Sequence, residues 1–247
     1  MRTPATILIT LLATLALGAT ACLDSVVTEH GSGDLETRSY EVDEFSSVVV
    51  HRSLSVDIVV DPGAERSVTV TMDENLFEYL EVRGASDGVL VIDANRNLDP
   101  SDDARVEIVT PTLDGVTASG AASVRVTGEI GGDEVEIAAS GAVRISADSI
   151  AGGELRVSAS GASRVSVGAG VVAAFDGEAS GASSLDFEGV TIEGDADVDL
   201  SGASRAELRA TGRVAGGAAG ASSVTVHGDP TEVDVRTSGA SSVRLVR

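Results

Sequence analysis

Side chains able to do chemistry are few in this sequence, and most stand apart. The three histidines, His30, His51 and His227, have no histidine, cysteine or carboxylate partner at metal-ligand spacing, so no zinc motif is written in the chain. Serine is abundant, yet no Gly-x-Ser-x-Gly elbow occurs, and no lysine exists to activate a hydroxyl. Gly168-Ala169-Gly170 with Ala173 spells a Gly-x-Gly-x-x-Ala string, but no helical pattern follows it, so it reads as a loop rather than a dinucleotide site. Asp195, Asp197 and Asp199 alternate along one strand edge; a solvated acidic face explains them better than a weak calcium site. The expectation is a protein with no catalytic residues, no metal and no cofactor.

One set of charges does recur. Arg125, Arg144, Arg164, Arg205 and Arg244 all fall on the outward parity of a repeated strand, mixed with Ser and Thr. Stacked, they would form a broken column able to grip carboxylate or sulfate groups of an extended anionic glycan. The plainer reading is a solvated face on which they pair with Asp186 and Glu207. The rest of the chain is acidic, with 39 Asp and Glu against 17 basic residues and a net charge of −22. That balance argues against nucleic acid, which needs clustered cations, and against electrostatic attraction to anionic membrane.

The elements that carry these residues come from a repeat. Ser-Gly-Ala corners recur with glycines at Gly120, Gly141, Gly161, Gly181, Gly202, Gly220 and Gly239, 18 to 21 residues apart; the sixth corner reads Ala219-Gly220-Ala221. Four residues beyond each glycine lie Val124, Ile145, Val165, Leu185, Ala206, Val224 and Val243. Six beyond lie Val126, Ala147, Val167, Phe187, Leu208, Val226 and Leu245. The residues between are polar. This is the period-two alternation of a strand with one buried face. Self-similarity at a period near 20 makes an all-β solenoid, a parallel β-helix of about seven coils after an N-terminal β region. The alanine after each corner glycine is expected to occupy a tight inner bend.

The start of the chain reads differently. Arg2, an apolar run from Ala5 to Leu17 and small residues up to Cys22 have the layout of a secretory signal. Cys22 is the only cysteine, and Ala19-Thr20-Ala21-Cys22 resembles a bacterial lipoprotein box, in which the cysteine is lipidated and becomes the first residue. The expected order is a signal peptide (1–21), a lipidated tether (22–39) and one β-helical domain (40–247). Within the domain, 40–111 form N-terminal strands or a cap and 112–247 form the repeat coils. In the first part, Asp73 is placed to cap a short helical turn.

The mature chain resembles the bacterial GIN domain, the auto-transporter adhesin head family. The likeness rests on Gly31-Ser32-Gly33-Asp34, on Phe45–Val50 leading into Ser55–Val60, on Asp73-Glu74-Asn75-Leu76 after a Val/Thr strand, on Gly88–Ile92, and on the Ser-Gly-Ala-Ser corners. The resemblance implies a parallel β-helix that is exported or lipid-anchored. The function expected is a non-catalytic envelope lipoprotein with a scaffold or adhesin-like surface. It would be held to the membrane by its lipid and have a glycan or another envelope component as partner. The alternatives are a polysaccharide-acting β-helix enzyme and a self-assembling envelope protein. Against the enzyme, the repeats contain no Tyr, Trp or Lys to build a sugar-cleaving groove.

Overall fold

The corner glycines set the architecture. In the computed structural model, which describes residues 28–84, 87–101 and 103–247, all seven have a positive φ of 74–98°. They stack in one column. The amide after each glycine donates to the corner carbonyl of the preceding coil, as Ala162 N to Gly141 O at 2.7 Å. A Cβ on Gly161 would stand 2.5 Å from that same carbonyl oxygen. Both the dihedral angle and the stacking therefore demand glycine. The column begins at a residue that is not glycine: Arg52 has φ 72°, and its carbonyl accepts from Ala121 N. Its side chain is anchored sideways, with Nε donating to Ala94 O at 3.2 Å.

Parallel ladders run the length of the repeat region on both sides of the corner. Before the corner the register is Val116, Ile137, Val157, Gly177, Val198, Gly216, Val235. After it the register is Val124, Ile145, Val165, Leu185, Ala206, Val224, Val243. The middle coils add a third side, where Ile130, Ile150, Gly170 and Val190 pair. Successive coils are thus one strand spacing apart, about 4.8 Å. The residues four and six beyond the glycines are buried in every coil but the last. Each such Val or Leu contributes roughly 1.5–3 kcal/mol. Gly177 interrupts the apolar column because the Phe175 ring fills its space, packed edge-on against Phe187 at 5.3 Å between centroids.

Two expectations need correction here. The alanine after the corner glycine does not line an inner bend: Ala142, Ala162, Ala182 and Ala203 are exposed. The inward residue is the next one, Val143, Ser163, Ser183 or Ser204. The segment read as a tether is, from Thr28 onward, paired into the body. Thr28–His30 runs parallel to Asn97–Asp99, and Leu35–Tyr40 runs antiparallel to Ser67–Asp73.

Spatial order departs from chain order at the N-terminal end. The coil built from Ser47–Val50 and Ser55–Val60 lies between the first repeat coil and a coil formed later in the chain by Val89–Ala94 and Arg105–Thr110. Antiparallel strands then cover that outermost coil, Leu80–Gly84 against Val89–Ala94 and Ser67–Asp73 against Arg105–Thr110. Asp73 does not cap the 3-10 turn Glu74–Leu76. Its fully buried carboxylate accepts from Gly33 N at 2.7 Å, Ser101 N at 2.8 Å and Ser101 Oγ at 2.7 Å. The Ser101 amide, followed by the Ser101 hydroxyl and the Gly33 amide, holds the Asp73 carboxyl below the usual carboxylate range. Gly31 passes so close to this carboxylate that a Cβ there would overlap it.

Candidate functional site: an axial groove beside the corner column

Each Ser-Gly-Ala-Ser corner carries two serines with opposite fates. The second serine turns inward. Ser163, Ser183, Ser204 and Ser222 are buried, and each Oγ donates to the carbonyl three residues earlier at 2.8–2.9 Å. Their hydroxyls thus close the corner internally. The first serine faces solvent. Ser140, Ser160, Ser180, Ser201 and Ser238 make no side-chain hydrogen bond among the described residues, and all line one open groove of about 590 Å³.

The groove runs along the solenoid axis from Thr117 to Arg236, across the strands that precede the corner. The residue two before each of the first six corner glycines, Ala118, Ala139, Ala159, Ala179, Leu200 or Ala218, also lines it, although each is buried and faces the core. Charges appear only toward its C-terminal half, where Glu178, Asp199 and Arg236 line it. The groove therefore offers hydroxyls on four successive coils about 4.8 Å apart, Ser140, Ser160, Ser180 and Ser201, with Ala219 interrupting the row before Ser238. Hydroxyls both donate and accept, which suits a ligand that repeats along its length.

The five arginines expected in a column are placed outward, on the strand after the corner, in two columns rather than one. Arg144 and Arg164 are directly paired in register, and Arg205 continues their column beyond Ser184. Arg125 and Arg244 belong to the adjacent column, with Ser146, Ser166, Asp186, Glu207 and Thr225 between them, and beyond Arg125 the column continues to Asp57. Among the described residues none of the five forms an ion pair, with Asp186, Glu207 or any other acid. Arg205 Nε reaches only Ser223 Oγ, at 3.4 Å. Counting from each glycine would have separated the columns, since Arg144, Arg164 and Arg205 are three residues on and Arg125 and Arg244 are five. Cys22 lies outside the described residues. Among the described residues no helix is long and apolar enough to cross a membrane.

The histidines are not all isolated. His30 Nδ1 is 2.8 Å from Asp99 Oδ2, and His51 Nδ1 is 2.6 Å from Ser119 Oγ. His227 meets Glu188 and Glu207, with all three ligand atoms within 4.8 Å of one another. Sequence spacing missed this group because its members come from three successive coils.

The fold recurs in solved structures. A "putative adhesin" from Bacteroides fragilis superposes with a TM-score of 0.81 at 17% identity, covering 88% of this chain and all of its own. A "putative lipid binding protein" from Parabacteroides distasonis gives 0.72 at 18% identity, covering 90% of this chain and all of its own. A "putative adhesin" from Parabacteroides merdae gives 0.67 at 20% identity, covering 89% of this chain and 99% of its own. At these identities the likeness concerns the fold. A search of curated proteins gave no match. The family model described as "Putative auto-transporter adhesin, head GIN domain" matches residues 44–230, from just before the first coil to the turn ahead of the last. The chain belongs to the GIN domain family.

Proposed function

We propose that the protein is a non-catalytic, adhesin-like binding module of the bacterial cell envelope, anchored by a lipid on Cys22, and that it holds an extended glycan along the axial groove. The observation that carries this reading is the row of unpartnered serine hydroxyls along the groove. A ligand with a repeating polar backbone can meet the same small set of groups coil after coil, and many weak contacts along one chain add by effective concentration. The names of the structurally similar proteins, adhesins and one lipid-binding protein, support a binding role. The arginine columns on the next face supply cations without carboxylate partners, which favours glycans bearing carboxylate or sulfate groups.

The reading is tested on a glycan array with purified protein and with Ser160→Leu/Ser180→Leu, which fills the groove. Expected is saturable binding to at least one glycan class that the groove variant loses while its unfolding midpoint is kept. Binding unaffected by filling the groove, or none across the array, overturns it. Changing Arg144, Arg164 and Arg205 together to Ser separates the two surfaces: loss of acidic glycans alone assigns the arginines an accessory role. Mass spectrometry of the native N-terminus tests the anchor, and a mature chain beginning elsewhere with a free thiol removes it.

A further inference from the structure

The coil containing Phe187 departs from its neighbours. Between Phe187 and Thr191 the register against the next coil shifts, leaving Glu188, Gly189 and Val190 outside that ladder. Such irregularities re-aim side chains. Here the displaced Glu188 comes beside Glu207 from the next coil and His227 from the coil after it. We propose that Glu188, Glu207 and His227 form a site for a first-row divalent cation of the zinc type, completed by water, that fastens three successive coils together near the C-terminal end.

Three observations support it. First, the spacing leaves room for a cation between the groups. His227 Nδ1 is 3.6 Å from Glu188 Oε1, ion-pair range but too far for a hydrogen bond, and the three groups lie within 4.8 Å. Ligands about 2.0–2.2 Å from a tetrahedral zinc ion stand roughly 3.3–3.6 Å from one another. Second, among the described residues the three side chains make no hydrogen bond, although the His227 side chain is only 17% exposed. Third, the local charge is uncompensated. Asp186 sits in register with Glu207, where like charges directly opposite are unfavourable. Arg209 supplies one cation. Its Nη2 is 3.9 Å from Glu188 Oε1, while its Nε donates to the Glu188 backbone carbonyl at 3.0 Å. Three carboxylates and one guanidinium leave two negative charges, which a divalent ion balances. An imidazole beside two carboxylates favours zinc over calcium, which takes oxygen ligands in larger number.

The test is calorimetric titration of the protein with zinc chloride, repeated with calcium chloride, and thermal unfolding with zinc or with EDTA. One saturable zinc site is expected, with a higher unfolding temperature in zinc. Glu207→Gln and His227→Gln should each weaken it about tenfold or more, since even outer partners of a metal ligand matter that much. His30→Gln should leave it unchanged. If His227→Gln fails to fold, Glu188→Gln, at a half-exposed position, decides the matter. No saturable zinc binding overturns the proposal. So does zinc binding that survives substitution at Glu188 and Glu207, or tighter binding of calcium than of zinc.

Discussion

The two ends of the solenoid are finished in opposite ways. At the N-terminal end the outermost coil is covered by antiparallel strands, and the cover is pinned by the buried Asp73 carboxylate to Gly33 and Ser101. At the C-terminal end Glu232–Thr237 and Ser242–Val246 each have one ladder partner, and two of their apolar residues are open, Val233 36% and Leu245 41% exposed, while Val235 and Val243 pack half-buried on the core. The first end depends on specific long-range contacts. The second is one more copy of the repeat, with a neighbouring coil on one side only among the described residues. A solenoid distributes its stability over nearest-neighbour interfaces. The middle coils therefore carry the most, and each end is as strong as its particular finish.

The largest effect should come from the corner column that both ends share. Gly161→Val forces a branched side chain into a φ of +80° and against the Gly141 carbonyl. A loss of about 3 kcal/mol or more is expected from denaturant unfolding. A loss under about 0.5 kcal/mol would show that the column can bend locally.

Next is the N-terminal clamp. Asp73→Asn places an amide where two backbone amides and a hydroxyl converge, and about 2–3 kcal/mol should be lost. Hydrogen exchange should rise first in Leu35–Tyr40 and leave the repeat coils protected. Uniform loss across the chain would mean that the cap and coils unfold together. The same clamp predicts acid sensitivity. A carboxyl whose pKa is lowered by folding contributes fully above its unfolded value, near 3.9, and the contribution fades as pH falls through the lower folded value. Exchange in Leu35–Tyr40 should therefore accelerate in that acid range in the native protein and not in Asp73→Asn.

The contrast between middle and end is sharpened by truncating equivalent leucines. Leu208→Ala, at a fully buried position, should cost about 2–5 kcal/mol. Leu245→Ala, in the same column position but 41% exposed, should cost about 1 kcal/mol. Equal losses would indicate that the last coil is covered in solution, which size-exclusion chromatography would then examine. Smallest of all should be Ala162→Leu. Its side chain points to solvent, so its unfolding midpoint should shift by no more than about 0.5 kcal/mol equivalent.

That last variant also probes which corner residue faces inward. The alternation through Val165 and Val167 fixes which strand residues face inward, and counting back by twos from Val165 reaches Ser163 rather than Ala162. The inward parity is legible in the strand, and it carries through the corner to Ser163, leaving Ala162 outward. The same counting resolves the arginines into two columns. The groove was half legible. The inward and outward serines of each corner follow from the alternation, but that the outward serines of successive coils line one open groove depends on how the coils stack.

By itself, the sequence determined the coil. A period near 20, a positive-φ glycine at each turn and two-residue alternation admit one stacking, because each repeat meets the same neighbour in the same register. Only the tertiary structure decided what depends on distant residues or on a break in the repeat. The coil at 89–110 packs outside the one at 47–60, against chain order. Asp73 binds Gly33 and Ser101 instead of capping its own turn. Glu188 joins Glu207 and His227 only because the ladder slips after Phe187. Such contacts are set by where whole coils come to rest, and local residue patterns do not encode that distance.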